Sequence, residues 1–241
     1  MDSDRELVNR VRAALAAAGD PERAAGQQRY MRSVMPFHGL TSAELTRTVR
    51  SVYAEHRLTE RARWEATVRA LWDEAGHREE RYAAIALAGH RHYRPWQDPD
   101  ALELYRHLVV TGAWWDYVDD VATHRVAPIL AAHRDAVTPV MASWARDDHM
   151  WLRRTAVLSQ LNHKGDTDVA LLEDVVRANL LDSRHGREFF VRKAVGWALR
   201  EYAKTDPEWV RGLLATLDDR LSPLSRREAT KHLAASGSGG S

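Results

Sequence analysis

The chain has 241 residues, of which 44% are hydrophobic and 29% are charged, and its formal net charge is +1. This composition is that of a folded globular protein and argues against a disordered chain. Because the sequence contains no cysteine, it excludes disulfides, thiolate metal sites, iron–sulfur clusters and cysteine nucleophiles.

The N-terminal stretch MDSDRELVNRVRAALAAAGD begins with acidic residues and contains no long apolar run. It is therefore not expected to be a signal peptide. No other stretch approaches the roughly 20 apolar residues that a membrane-spanning helix needs. We expect a cytoplasmic protein that does not interact with membranes.

The sequence predicts helices throughout. Alanine, leucine, arginine and glutamate dominate it, and apolar residues rarely alternate strictly with polar ones. Turn signals separate the predicted helices at residues 18–22, 35–44, 94–100, 163–168, 204–208 and 221–228. The result is about a dozen helices of roughly ten to eighteen residues, joined by short turns.

Several of these turns carry the residues that begin a helix. In TSAE, the Thr41 hydroxyl is placed to accept the Glu44 amide hydrogen while the Glu44 carboxylate reaches back to the Thr41 amide, which is a capping box. Asp98 and Asp206 each precede a proline. An acidic cap followed by proline at the first helical position is a second start signal.

Two segments of the predicted helices are similar: WLRRTAVL begins at residue 151 and FVRKAVGW at residue 190. A repeat of about 40 residues built from helix pairs is typical of HEAT-like arrays, which stack into a curved solenoid with a concave inner surface. We therefore predict an all-α fold, a right-handed α–α superhelix of HEAT-like repeats. One such domain is expected over residues 1–235, followed by a flexible Ser/Gly tail over residues 236–241.

The segment AWWDYVDDV (113–121) combines two tryptophans with three aspartates. On a helix, Trp115 and Asp119 lie four residues apart on one face, whereas Trp114 and Val118 face the neighbouring layer. The alternative interpretation is that both tryptophans belong to the core and that the aspartates lie at the surface.

Two further residues favour a binding site at this segment. Arg154 and Trp197 lie in the two similar segments, so an inner surface gathers them with Trp115 and Asp119. Indole faces attract cations and pack on sugar C–H edges, a carboxylate stabilises positive charge, and an arginine holds a phosphate or orients the carboxylate. The set suits a cationic group attached to a sugar and a phosphate.

Basic residues concentrate between Arg184 and Lys204, where six of them, including Arg192 and Lys193, outnumber two acidic residues. In a nearly neutral protein such a stretch marks either a polyanion-binding face or a solvated helix face. By contrast, His90 and His92 point to different sides of a helix, so no zinc site is expected there.

Taken in order, five segments of the chain resemble the AlkD family of bacterial DNA glycosylases. They are RYMRSVMPFHGL (29–40), WWDYVD (114–119), MWLRRTAVLSQL (150–161), EFFVRKAVGWALREYAKTDP (188–207) and LSPLSRREATKHL (221–233). The resemblance implies an all-α superhelix of HEAT-like repeats. It also implies an enzyme that excises positively charged N3- and N7-alkylated purines from duplex DNA without flipping the nucleotide into a pocket, which most glycosylases must do.

The resemblance implies catalytic roles for three residues. Asp119 matches the catalytic carboxylate of the family's WWDxVD motif. Trp115 and Trp197 match the two tryptophans that embrace the deoxyribose of the lesion. A cationic purine leaves easily, so one carboxylate is enough to stabilise the sugar cation and position the attacking water. No metal and no cofactor is expected.

The remaining matches concern DNA. Arg154 matches an arginine near the scissile nucleotide, and Tyr30 and Arg200 match positions that contact DNA. Arg192 and Lys193 are further candidates for DNA binding, on the basic stretch. The expected partner is double-stranded DNA containing alkylated purines, bound by a monomer in the bacterial cytoplasm, where the protein associates with the nucleoid during repair.

Two other functions also fit the sequence. A site that does not enclose the base can accept a large group on that base. The protein would then be a glycosylase that removes bulky natural-product alkyl adducts and so gives self-resistance. A non-catalytic HEAT-like scaffold would instead use the basic concave face to hold DNA or protein. Salt-dependent DNA binding without any base release would indicate the scaffold.

Overall fold

The computed structural model of this protein describes residues 2–233 and contains helices and turns but no strand within that range, so the predicted all-α class is confirmed. The predicted Ser/Gly tail, residues 236–241, lies outside the described residues. The backbone falls into two compact units, the first ending at Gln97 and the second beginning at Asp98. Within the described range, no helix is both long and apolar enough to cross a bilayer.

The first unit consists of five α-helices followed by a short 3-10 segment. They are α1 (Arg5–Ala17), α2 (Pro21–Met31), α3 (Ser42–Glu55), α4 (Arg61–Asp73), α5 (Arg78–Ala88) and the segment Arg91–Trp96. Their core is rich in aromatic side chains: Tyr53 and Trp64 are fully buried. The Tyr53 hydroxyl donates to the Ala83 carbonyl at 2.8 Å, so its polar end is satisfied inside the core.

The loop between α2 and α3 is held by a buried carboxylate on α5. The backbone N–H groups of His38, Gly39 and Leu40 donate to Glu79 at 2.9, 2.8 and 3.2 Å. Gly39 has φ 95°, and a Cβ at this position would lie 2.0 Å from the Asp20 carbonyl oxygen, so only glycine fits. The loop is therefore a fixed element that places His38 beside α5.

The second unit begins with a 3-10 turn, Pro99–Ala101, and contains nine α-helices within the described residues. They are α6 (Leu102–Gly112), α7 (Trp115–Asp120), α8 (Ala127–Ala132), α9 (Arg134–Trp144), α10 (Met150–Leu158), α11 (Val169–Arg177), α12 (Phe189–Tyr202), α13 (Pro207–Leu217) and α14 (Pro223–Ala229). A π-helical segment, Val121–Val126, joins α7 to α8 without a break.

The predicted helix starts are confirmed. Thr41 and Glu44 form the complete capping box of α3. Asp206 accepts the Trp209 amide hydrogen at 2.9 Å and caps α13, with proline at its first position. Asp98 accepts the Ala101 amide hydrogen at 3.3 Å, but the element that it begins is the short 3-10 turn before α6.

Helix α12 packs closely on both α10 and α14. The two similar sequence segments lie on α10 and α12, which are in contact. Gly196 makes the approach of α14 possible, because a Cβ there would lie 2.7 Å from Glu228 Cβ and 2.9 Å from the Ser225 carbonyl oxygen. This packing brings the side chains of α12 and α14 together at one surface.

Candidate functional site

The segment AWWDYVDDV contains a helix start. Ala113 takes a left-handed conformation with φ 42°, Trp114 is extended, and α7 begins at Trp115. The expectation that Trp114 lies on the same helix as Trp115 was therefore wrong, because Trp114 caps that helix in an extended conformation. Trp115 and Asp119 lie on one face of α7, one turn apart, as their spacing predicts. Both are only partly buried.

Trp114 packs although it precedes the helix. Its ring lies 5.7 Å from the ring of Phe190 and 6.3 Å from that of Trp151, and these two rings are 5.0 Å apart. Three aromatic side chains from α10, α12 and the start of α7 thus form one cluster. The packing role predicted for Trp114 is confirmed, and Val118 is fully buried as well.

Asp119 and Arg154 form a bidentate ion pair between α7 and α10. Arg154 Nε donates to Asp119 Oδ1 and Nη2 donates to Oδ2, both at 2.7 Å. The third guanidinium nitrogen, Nη1, donates to the Phe190 carbonyl oxygen. The Arg154 side chain is only 4% exposed, whereas that of Asp119 is 17% exposed. Of the two roles considered for this arginine, the contacts favour orienting the carboxylate.

The pKa of Asp119 is set by contributions that oppose one another. Burial raises the pKa of its carboxyl above the ordinary value, the Arg154 guanidinium works against that rise, and the Asp116 charge adds to it. An ionised carboxylate has about four lone-pair directions, of which Arg154 uses two. Asp119 is thus a partly desolvated, fixed acceptor that still reaches the surface.

The helix changes its winding two residues after Asp119, where α7 ends at Asp120 and the π-helical segment begins at Val121. The Thr123 hydroxyl donates to the Asp119 carbonyl at 2.6 Å within the start of the π-helical segment. Such segments are rare and occur often at functional sites. The backbone at Asp119 therefore has a second support besides its side-chain ion pair.

A second charged cluster lies where α12 meets α14, and we call it the Glu228 cluster. Glu228 Oε1 accepts hydrogen bonds from Lys193 and Lys231 at 2.8 Å each, and Oε2 accepts one from Arg200 at 2.9 Å. The Glu228 side chain is 4% exposed. The hydrogen bonds and charges of Lys193 and Lys231 lower the pKa of this carboxyl to about 2, against the opposing effect of burial. Two of the predicted DNA-binding cations, Lys193 and Arg200, thus share a protein carboxylate.

The other predicted site residues lie on two different helices, with Trp197 and Arg192 on α12 and Tyr30 on α2. Trp197 is partly buried on α12. It lies seven residues after Phe190, four after Lys193 and three before Arg200, and these spacings put all four side chains on one face of the helix. Arg192 is partly buried as well. Tyr30 belongs to the first unit, near the end of α2, and is 78% exposed.

Phe190 and Glu228 contact predicted site residues but were not themselves predicted. Phe190 lies in the segment EFFVRKAVGWALREYAKTDP that carries the family resemblance, and this segment is the sequence feature that could have indicated it. Lys231, three residues after Glu228, is its one local partner, whereas Arg200 and Lys193 are 28 and 35 residues away, so the cluster itself could not be read from neighbouring residues.

Comparison with known proteins gives a consistent result. A family model described as DNA alkylation repair enzyme matches residues 11–233. A solved structure titled "Predicted DNA alkylation repair enzyme from Enterococcus faecalis" is similar to the chain, with a TM-score of 0.79 and 29% identity. The similarity covers 90% of this chain and 97% of that one. No curated protein matches the sequence.

Proposed function

Because the chain belongs to the family of DNA alkylation repair enzymes, we propose that it is a DNA glycosylase. It hydrolyses the N-glycosidic bond of cationic N3- and N7-alkylated purines in duplex DNA, without moving the nucleotide into a pocket. The observation that supports this most directly is a carboxylate, Asp119, that is fixed by Arg154 yet remains partly exposed one turn from Trp115.

The chemistry needs only one carboxylate. Alkylation at N3 or N7 makes the purine a cation, so the bond from C1′ to the base breaks without a general acid. The sugar becomes oxocarbenium-like, and a fixed anion beside it stabilises the developing positive charge. Asp119 has this role and also orients the attacking water, with one carboxylate in place of the two used by most glycoside hydrolases.

The tryptophans and the arginine support the carboxylate. Trp115 and Trp197 pack against the deoxyribose, and each indole stabilises a nearby cation by roughly 0.5–2 kcal/mol. Arg154 is a positioning residue, because its guanidinium is engaged by Asp119 and by the Phe190 carbonyl. It keeps both carboxylate oxygens in place while the sugar charge develops.

The DNA backbone is held by cations and by one exposed aromatic residue. Arg192, Lys193 and Arg200 contact phosphates from α12, and Tyr30 contacts DNA from the first unit. Binding of this kind positions the duplex without reading its sequence. The protein acts as a monomer, in the cytoplasm.

The test is base release from duplex DNA methylated at purines, with the released bases identified by chromatography. Wild type is expected to release N7-methylguanine or N3-methyladenine, whereas Asp119→Asn folds and binds DNA but loses most release. Asp120→Asn is the matched control, because Asp120 is the next residue of α7 and is paired with His124 at the surface. It is expected to keep wild-type activity.

Full activity of Asp119→Asn would show that the assignment of the carboxylate is wrong. If wild type releases no simple methylated base, the assay is repeated with a bulky alkyl adduct, and release there would assign the adduct class. Salt-dependent DNA binding with no release from either substrate would indicate a scaffold.

A further inference from the structure

Three side chains that can bind a metal converge in the first unit, and none of them belongs to the proposed glycosylase site. They are His38 in the loop between α2 and α3, His77 directly before α5, and Glu80 in the first turn of α5. His38 Nε2 lies 3.6 Å from Glu80 Oε1, and His77 Nδ1 lies 3.4 Å from the same oxygen. One atom from each residue lies within 4.8 Å of the other two.

These distances suit a shared cation better than direct hydrogen bonds. Hydrogen bonds between nitrogen and oxygen usually measure about 2.7–3.2 Å, so both separations are long. Ligands about 2.0–2.1 Å from a tetrahedral zinc ion are separated from one another by roughly 3.3–3.4 Å. His38 Nε2 is also buried and has no hydrogen-bond partner among the described residues, which leaves a nitrogen aimed at the carboxylate.

The surroundings orient the carboxylate for this purpose. Glu80 is 5% exposed, and its Oε2 accepts hydrogen bonds from Arg12 Nε at 3.0 Å and from the Gly76 amide at 3.1 Å. Oε1 is thereby left facing the two imidazoles. A ligand carboxylate whose second oxygen is hydrogen-bonded is the usual arrangement around protein-bound metals.

The histidines also suit the role. Burial and the neighbouring His77 lower the pKa of His38, and the carboxylates of Glu79 and Glu80 oppose that shift. The two rings are stacked, with centroids 3.8 Å apart and planes at 14°. Parallel rings do not aim both nitrogens at one point, so coordination requires one ring to turn about its Cβ–Cγ bond. The His77 side chain is 36% exposed and that of His38 only 11%, so His77 is the ring that we expect to turn.

We propose that His38, His77 and Glu80 form a binding site for a divalent transition-metal ion, with zinc as the ion that this ligand set suits best. The ion links the loop between α2 and α3 to the start of α5. The proposal does not rest on the glycosylase assignment, because no residue is shared with it.

The test is calorimetric titration of the tag-free, chelator-treated protein with Zn²⁺, together with thermal unfolding with and without Zn²⁺. Wild type is expected to bind one ion per chain and to unfold at a higher temperature when zinc is present. His77→Phe keeps a ring stacked on His38 but removes a ligand, so we expect affinity to fall at least tenfold. His133→Phe is the control, because His133 is exposed between α8 and α9.

Glu80→Gln should weaken zinc binding in the same way, but it also disturbs the hydrogen bond to Arg12. If Glu80→Gln does not fold, the result for His77→Phe decides the test. The absence of zinc binding by wild type would overturn the proposal. Zinc binding that His77→Phe leaves unchanged would overturn it too, because the ion would then be elsewhere.

Discussion

The guanidinium of Arg154 holds both carboxylate oxygens of Asp119, with Nε to Oδ1 and Nη2 to Oδ2 each at 2.7 Å. A second bidentate pair in the same unit offers a direct comparison, since Arg146 holds both oxygens of Asp174. The two pairs differ in burial: the Arg154 side chain is 4% exposed, and that of Arg146 is 53% exposed. Burial should therefore decide how much each pair contributes to folding.

Arg154→Ala is expected to lower the free energy of unfolding by about 3–5 kcal/mol, because it leaves a desolvated carboxylate without its partner. Arg146→Ala removes an equally well-formed but exposed pair and should cost roughly 0–1 kcal/mol. Urea denaturation of both variants measures the difference. Similar losses for the two would mean that burial does not govern the Asp119 pair.

Base release should weaken as the pH falls through the pKa of Asp119, because only the ionised carboxylate stabilises the sugar cation. Burial raises that pKa above the ordinary value of 3.8, so the acid limb should begin at a higher pH than for a free aspartate. No alkaline limb from a general acid is expected, because a cationic purine leaves without protonation.

Single-turnover rates measured across pH on methylated duplex DNA, corrected for release without enzyme, test this dependence. Enzymatic release that increases toward acid would contradict an ionised Asp119 as the active form.

The Glu228 cluster should make stability sensitive to acid. The pKa of Glu228 is lowered from 4.5 to about 2, so the folded state favours the ionised form. The contribution is complete above pH 4.5 and disappears as the pH falls toward 2, and it amounts to at most about 3 kcal/mol, because solvent screens the partly exposed Lys193 and Lys231. Denaturation at pH 7 and pH 3 should show a smaller loss for Glu228→Gln than for wild type. An identical loss in both proteins would mean that other carboxylates cause it.

Gly196→Ala should destabilise the protein by about 1–3 kcal/mol, because its Cβ would lie 2.7 Å from Glu228 Cβ and 2.9 Å from a backbone oxygen of α14. Gly212→Ala is the matched control on α13, where a Cβ would meet no atom within 4 Å. There the better helix propensity of alanine should add about 0.5–1 kcal/mol. Thermal unfolding of both variants checks that the signs are opposite.

The sequence predicts well those features that depend on neighbouring residues. The capping box needs only Thr41 and the residue three positions later, so local chemistry determines it. Trp114 was treated as helical together with Trp115, but α7 begins only at Trp115, because Ala113 adopts a left-handed conformation that alanine, unlike glycine, does not signal.

Features that connect distant parts of the chain could be predicted only in outline. Asp119 and Arg154 were expected at one site from the repeat and from the family resemblance, but their two parallel hydrogen bonds depend on how α7 and α10 pack. The cluster of His38, His77 and Glu80 brings together a loop and a helix start. His77 and Glu80 lie three residues apart, a spacing that metal ligands on helices use, but His38 is far from them in sequence, and no metal was expected.

The Glu228 cluster has a consequence for how DNA binding responds to salt. A cation that faces water gathers mobile ions, and releasing ions from a protein–DNA interface makes affinity fall steeply as salt rises. Lys193 and Arg200 already carry a fixed counterion in Glu228. A phosphate that approaches them shares these cations with the carboxylate. The affinity of this surface for DNA should therefore depend on ionic strength less steeply than its number of basic residues suggests.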